Sequence, residues 1–189
     1  MNPAATNKIA FIGTHGVGKT TLCYGLAARL KRRDVALDIV HEVARRSPLP
    51  INAETTVDAQ RWILHTQIAE ELVAAARYPV VICDRSILDN YVYFLLAGGA
   101  DPVLDRLVDD WLATYALLVH VPMLAAPTPD GVRAADPRFQ RAVADRLAAE
   151  LAARRIPALQ LDPARSGDWL DETEAAAWKV LEPPQLPLL

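Results

Sequence analysis

GTHGVGKT, residues 13 to 20, fits the pattern G-x-x-x-x-G-K-T and follows directly on the apolar run Ile9-Ala10-Phe11-Ile12. The pattern is typical of a loop that joins a strand to a helix and points its backbone N–H groups at a phosphate. Gly13 and Gly18 stand where a Cβ would block the curvature of the loop or the approach of the phosphate. The stretch therefore predicts a strand, a phosphate-binding loop and a helix, in that order.

The side chains at the end of this loop predict what it binds. We expect Lys19 to reach the β- and γ-phosphates of a nucleotide as a point charge, and Thr20 to offer its hydroxyl to Mg²⁺. The helix that begins here directs its positive N-terminal end at the same phosphates. The sequence thus predicts a magnesium-bound nucleoside triphosphate, either ATP or GTP, held by Gly13, Thr14, His15, Gly16, Val17, Gly18, Lys19, Thr20 and Thr21.

Length and composition favour one α/β domain over residues 1–189. Of the 189 residues, 52% are hydrophobic and 23% are charged, which is typical of a globular protein. A net charge of −3 gives no overall positive field for a long nucleic acid. No apolar run reaches the roughly 18 residues that a membrane span needs, and Met1 to Asn7 do not resemble a secretory signal. We expect a cytoplasmic protein with Cys23 and Cys83 as buried thiols.

Short apolar runs alternate with segments of helical period, which is the pattern of a parallel sheet wrapped by helices. The predicted strands are Lys8–Gly13, Ala36–Glu42, Val80–Asp84, Ala116–Pro122 and Ile156–Asp162. One helix follows the phosphate loop, and the others are predicted at Thr56–Ala76, Ile87–Leu96, Pro102–Thr114 and Trp169–Leu181. A proline-rich stretch at 122–141 predicts a short lid, and residues 183–189 a tail.

Ligands of an open parallel sheet bind at the carboxyl ends of its strands, which gives priority to the polar residues there. Glu42 lies at the end of the second predicted strand, where it could accept a proton, and Arg45 could hold an anion. A surface charge at the strand end is the alternative for Glu42. Asp84 ends the third strand and is expected to hold Mg²⁺ with Thr20, directly or through water. Arg85 could balance the charge of a transferring phosphoryl group, or form a salt bridge at a helix start.

Two further sets are weaker candidates. Arg133, Arg138 and Arg141 fall in or near the predicted lid, where arginines can close over a triphosphate and exclude water. Arg133 is preferred, since the other two are equally well explained as solvated surface residues. Gln60, on the predicted helix Thr56–Ala76, is expected to flank the cleft opposite the triphosphate and to pair with a base edge, unless it simply faces solvent.

These residues together resemble small P-loop kinases of nucleosides and nucleotides, most closely the AAA-type ATPase and kinase group that includes ribosylnicotinamide kinase domains. The resemblance implies a three-layer α/β P-loop NTPase fold with a five-stranded parallel sheet. The resemblance also implies that in deoxynucleoside kinases the carboxylate after strand two is the base for the acceptor hydroxyl and that a Glu-Arg-Ser block lies across the cleft. The matching segments are residues 13–21, Glu42–Arg45, Gln60–Ile63, Asp84–Asn90 and Asp130–Arg133.

The leading interpretation is ATP-dependent transfer of a phosphoryl group to a hydroxyl of a small nucleoside-like or related metabolite. The alternative is a regulatory ATP- or GTP-binding module without an acceptor, although the Asn-Lys-x-Asp and Asp-x-x-Gly segments of Ras-type GTPases are missing. The expected partners are the small-molecule acceptor and, as one option, a second copy in a homodimer, but neither long nucleic acid nor a membrane. The predicted catalytic residues are Lys19, Glu42, Arg85 and Arg133, and the predicted acceptor contacts are Glu42, Arg45, Gln60 and Arg85.

Overall fold

Strands and helices follow one another along the chain in a computed structural model that describes residues 6–51, 54–124 and 137–181. The strands are β1 (Asn7–Ile12), β2 (Leu37–Val40), β3 (Val80–Asp84), β4 (Tyr115–His120) and β5 (Leu159–Gln160). The helices are α1 (Lys19–Lys31), α2 (Val57–Ala75), α3 (Ile87–Leu96), α4 (Pro102–Leu112), α5 (Pro137–Arg154) and α6 (Trp169–Leu181).

All five strands are parallel and lie in the order β2-β3-β1-β4-β5. The central strand β1 pairs with β3 on one side and with β4 on the other, and its residues Ile9 to Ile12 are completely buried. A strand covered on both faces needs such a continuous apolar run rather than an alternating one. The register sets Phe11 beside Asp84, so the end of β3 lies next to the start of the phosphate loop.

Two hydrophobic clusters cover the two faces of the sheet. One contains side chains of α2, α3, α4 and α5, among them Leu64, Phe94 and Leu147. The other contains side chains of α1 and α6, among them Leu26 and Trp169. This arrangement confirms the predicted three-layer α/β fold with a five-stranded parallel sheet. No helix in the described ranges is long and apolar enough to cross a membrane.

The two cysteines lie inside these clusters and are unpaired thiols. Burial is the main cause that raises the pKa of both Cys23 and Cys83, so both stay protonated at neutral pH. A buried, protonated thiol is a poor nucleophile.

Helix α5 is the main element that the sequence reading missed. Its first residues, with Arg138 and Arg141, were assigned to the lid, but they are helical. Pro137 belongs to the proline-rich pattern that predicts a loop, although proline is also favourable at the first position of a helix. The spacing of Val143, Leu147 and Leu151, all buried, is the signal that could have found the helix.

Several predicted boundaries also change. The fifth strand shrinks from Ile156–Asp162 to Leu159–Gln160, and the second ends at Val40, so Glu42 follows the strand rather than ending it. The tail at 183–189, the lid segment 125–136 and Arg133 lie outside the described residues.

Candidate functional site

The loop between β1 and α1 depends on its glycines. Gly13, Gly16 and Gly18 have φ of 147°, 72° and 91°, in the region that side chains disfavour. At Gly13 a Cβ would also lie 2.5 Å from the carbonyl oxygen of Val121, just beyond β4. No other residue fits at position 13 without moving the backbone beside it.

Helix α1 begins differently from its neighbours. The side chains of Thr56, Ser86 and Asp101 accept hydrogen bonds from the first turns of α2, α3 and α4, but Gly18 supplies no such bond to α1. The first-turn N–H groups of α1 are thus left to water or a ligand. Buried Lys19 donates from Nζ to the carbonyl oxygen of Gly13 at 2.9 Å, so its charge lies against the loop. A helix N-terminus with a cation beside it is suited to bind an anion.

Thr20 and Asp84 place two side-chain oxygen groups next to each other beside this loop. The Thr20 hydroxyl donates to Oδ2 of Asp84 at 2.6 Å, which joins the first turn of α1 to the end of β3. Across the described ranges there is no group of three or more His, Cys, Asp or Glu side chains suited to a metal. Mg²⁺ needs only one or two protein oxygens because it keeps most of its water, so the pair could hold it.

Glu42, Arg45 and Arg85 meet at the ends of β2 and β3. Oε1 of Glu42 accepts from Nε of Arg85, and Oε2 accepts from Nε of Arg45, both at 2.7 Å. A 3-10 turn at Val43–Arg46 brings Arg45 back onto Glu42. The Glu42 and Arg85 side chains are each 4% exposed, which contradicts the alternative that Glu42 is a surface charge. Two guanidinium groups hold the carboxylate in one orientation.

Arg85 combines two energetically unfavourable features. Its φ is 105°, which costs about 1–3 kcal/mol for a residue other than glycine. Its buried Nη1 has no hydrogen-bond partner within the described part of the chain, and it lies 3.8 Å from Oδ1 of Asp89. The guanidinium carbon lies 5.3 Å from the centre of the Tyr93 ring. Such features cluster at sites that bind ligands, so Nη1 is a donor available to an anion.

Asp89 connects the loop to α3, a role that sequence reasoning missed. Oδ1 accepts from the backbone N–H of Gly13, and Oδ2 accepts from the N–H and the hydroxyl of Ser86, all at 3.0 Å. The Ser86 hydroxyl in turn accepts from the N–H groups of Leu88 and Asp89. The spacing Ser-x-x-Asp after a strand is the signature of such a capping box and was the available signal.

The first turn of α5 also contacts the loop. The Thr14 hydroxyl donates to the carbonyl oxygen of Gln140 at 3.0 Å, and Nε2 of Gln140 donates to the carbonyl oxygen of His15 at 2.7 Å. The His15 ring stacks on Phe139 and lies 3.2 Å from the Tyr93 hydroxyl. These contacts were missed because α5 itself was not predicted.

The remaining predicted site residues are placed less centrally. Gln60 is buried and donates from Nε2 to the Thr55 hydroxyl at 2.7 Å, so it is not a solvent-facing glutamine. Val17 packs into the cluster on the α1 side of the sheet, and Thr21 is exposed. Arg133 cannot be placed because it lies outside the described residues.

Comparisons with known proteins agree with this fold. A family model described as AAA domain matches residues 8–171. No curated protein matches the sequence.

Three solved structures share the architecture at low identity. A NadR protein in complex with NR is 18% identical, with a TM-score of 0.71 over 96% of this chain and 54% of that one. A NadR protein in complex with NAD and AMP-PNP is 16% identical, with a TM-score of 0.68 over 97% and 52%. A thymidylate kinase from Ehrlichia chaffeensis is 17% identical, with a TM-score of 0.66 over 94% and 100%. The chain thus spans about half of the two NadR chains, and these likenesses show the fold alone.

We expect Asp89→Asn to lower the free energy of unfolding by about 2 kcal/mol, because hydrogen bonds to a buried charged group each contribute about 1.5–3 kcal/mol. An amide has only one oxygen, so its NH₂ group would face the N–H of Gly13 or Ser86. Urea unfolding measures the change. Asp101→Asn is the matched control, since asparagine caps a helix as well as aspartate does. Equal, small effects of both substitutions would contradict the role of Asp89.

Proposed function

The chain belongs to the AAA domain family, and from this membership and the geometry of its site we propose that it is an ATP-dependent phosphotransferase. It transfers the γ-phosphoryl group of ATP to a hydroxyl of a small nucleoside-like or related metabolite. The observation that carries this proposal is the buried Glu42–Arg85 pair. The pair follows β2 and β3, whose carboxyl ends lie at the same edge of the sheet as the end of β1, where the G-x-x-x-x-G-K-T loop begins.

The nucleotide side of the proposed reaction uses the loop and its metal ligands. The N–H groups of residues 13–21 and the charge of Lys19 hold the phosphates. Thr20 and Asp84 hold Mg²⁺, whose charge offsets that of the phosphate oxygens. The NadR structure with AMP-PNP supports an adenine nucleotide as the donor by analogy of fold.

The acceptor side uses Glu42 and Arg85. An ionised carboxylate can accept the proton of a hydroxyl, and the hydrogen bonds from Arg45 and Arg85 orient Glu42 for an acceptor hydroxyl. In the proposed reaction Glu42 takes the proton of the acceptor hydroxyl. The oxygen of that hydroxyl attacks the γ-phosphorus, and ADP leaves. Arg85 Nη1, and Arg133 as predicted, offset charge on the transferring group, while Arg45 and Gln60 contact the acceptor.

Thermal unfolding with Mg-ATP and with Mg-GTP tests the donor, because a ligand that binds the native state raises the melting temperature. We expect Mg-ATP to raise the melting temperature. In a second assay, we expect a nucleoside, a nucleotide or a ribosylated cofactor to stimulate the release of ADP. A rise without stimulation by any acceptor would instead favour a regulatory nucleotide-binding module. No rise with either nucleotide would overturn both functions.

We expect Lys19→Ala to reduce phosphoryl transfer by about two to three orders of magnitude, the usual loss when a preorganised charge partner is removed. Lys31→Ala is the matched control, since Lys31 lies exposed at the far end of α1. Steady-state ADP release measures both. A Lys19→Ala protein with nearly unchanged turnover would remove the central assignment.

Glu42→Gln should keep nucleotide binding and lose about 10²–10⁴-fold in transfer, because the amide cannot accept the acceptor's proton. Glu70→Gln is the control, since Glu70 pairs with Arg46 on the exposed side of α2. The melting shift with Mg-ATP and the rate of ADP release separate the two effects. If Glu42→Gln weakens binding and transfer equally, Glu42 has a structural role.

A further inference from the structure

A completely buried carboxylate, Glu71 on α2, lies outside the site described above. Its Oε2 accepts from Lys8 Nζ at 2.7 Å and from Trp111 Nε1 at 2.8 Å. Its Oε1 accepts from the Tyr115 hydroxyl at 2.6 Å and from Gln67 Nε2 at 2.9 Å. Four donors thus satisfy the two oxygens. A buried ion pair of this kind is weak evidence for stability alone, because apolar residues of similar volume often serve as well.

Two of the four donors continue to the backbone around Ser86. The Tyr115 hydroxyl also accepts from the N–H of Ile87 at 3.0 Å. Gln67 Nε2 also donates to the carbonyl oxygen of Arg85 at 3.3 Å. The Lys8 ammonium and the Trp111 indole N–H, within the described ranges, hydrogen-bond Glu71 and no other residue. The carboxylate therefore has two branches that reach the segment 85–87 and two that do not.

The segment 85–87 is the part of the chain that needs such support. Arg85 has a φ of 105°, a conformation that persists only where the surroundings determine it. The bonds from Gln67 and Tyr115 hold the carbonyl before Ser86 and the N–H after it. From this backbone the Arg85 side chain reaches Glu42 at 2.7 Å.

We propose that Glu71 is a positioning residue that, through Gln67 and Tyr115, holds the backbone on both sides of Ser86 and so aims the Arg85 guanidinium at Glu42. The placement of Arg85 follows from the contacts alone. Its consequence for phosphoryl transfer rests on the proposed function.

Tyr115→Phe tests the proposal, with Trp111→Phe as the matched control. Each substitution removes one donor to the same carboxylate, so a purely structural network predicts similar losses of stability. Only Tyr115→Phe also removes the partner of the Ile87 N–H, and it keeps the ring that packs 4.6 Å from Lys8 Nζ.

The first readout is the Nε–H resonance of Arg85 in ¹H–¹⁵N spectra, assigned by its loss in Arg85→Lys. In the original protein this N–H is buried against Glu42 and should exchange slowly with water. We expect Tyr115→Phe to shift the resonance and to speed its exchange by about tenfold or more, and Trp111→Phe to leave both unchanged. This readout requires no enzymatic activity.

The second readout is steady-state transfer. Tyr115→Phe should lower kcat about tenfold or more with the nucleotide KM within about twofold, because a small misplacement of a charge partner costs rate rather than nucleotide binding. Trp111→Phe should change neither. If the original protein transfers no phosphoryl group, the proposed function fails, and the resonance of Arg85 still decides its positioning.

Two results would overturn the positioning role. One is an unchanged Arg85 resonance in Tyr115→Phe, and the other is an equal change in both variants. If Tyr115→Phe does not fold, Gln67→Met removes the bond to the Arg85 carbonyl from the other branch, and the same resonance is measured against the same control.

Discussion

At Gly13 the backbone leaves β1 with a φ of 147°, and the carbonyl oxygen of Val121 lies 2.5 Å from the position of a Cβ. The same residue donates its N–H to Asp89 and its carbonyl oxygen accepts from Lys19. The ends of β1 and β4, the start of α3 and the first turn of α1 therefore meet around one residue without a side chain. The placement of Lys19 and Asp89 in the candidate site therefore depends on the backbone of this turn.

Charge is distributed unevenly between the two sides of that turn. Asp84 is paired with a hydroxyl, and Asp89 with backbone N–H groups and a hydroxyl. Glu42 is paired with two guanidinium groups. Of these three groups, Glu42 and Arg85 are buried, whereas the Arg45 side chain is 43% exposed. The buried part of this side thus pairs one carboxylate with one guanidinium, and the second guanidinium reaches the carboxylate from the surface.

The sequence was sufficient to predict an element wherever residues that are neighbours in the chain determine its structure. The apolar run before Gly13 predicted β1, and the run Val80–Asp84 predicted β3 with its bounds unchanged. The sequence was insufficient to predict contacts between residues that are far apart in the chain. Lys8 and Trp111 lie far from Glu71 in the chain, so no local pattern indicates that both donate hydrogen bonds to its carboxylate. Asp89 is intermediate, because its capping spacing is local but its bond to Gly13 spans 76 residues.

The two halves of the site also differ in how they are built. In the proposed function, residues 13–20 hold the phosphates through backbone N–H groups, so this half needs few fixed side chains besides glycines, Lys19 and Thr20. The Glu42–Arg85 pair is built from side chains whose backbone is supported in turn by Gln67 and Tyr115. The second half therefore depends on the identity of several side chains, and the first depends mainly on its backbone. Backbone groups do not depend on the identity of side chains, so a loop built in this way is compatible with a fold that is shared over 94–97% of this chain at 16–18% identity.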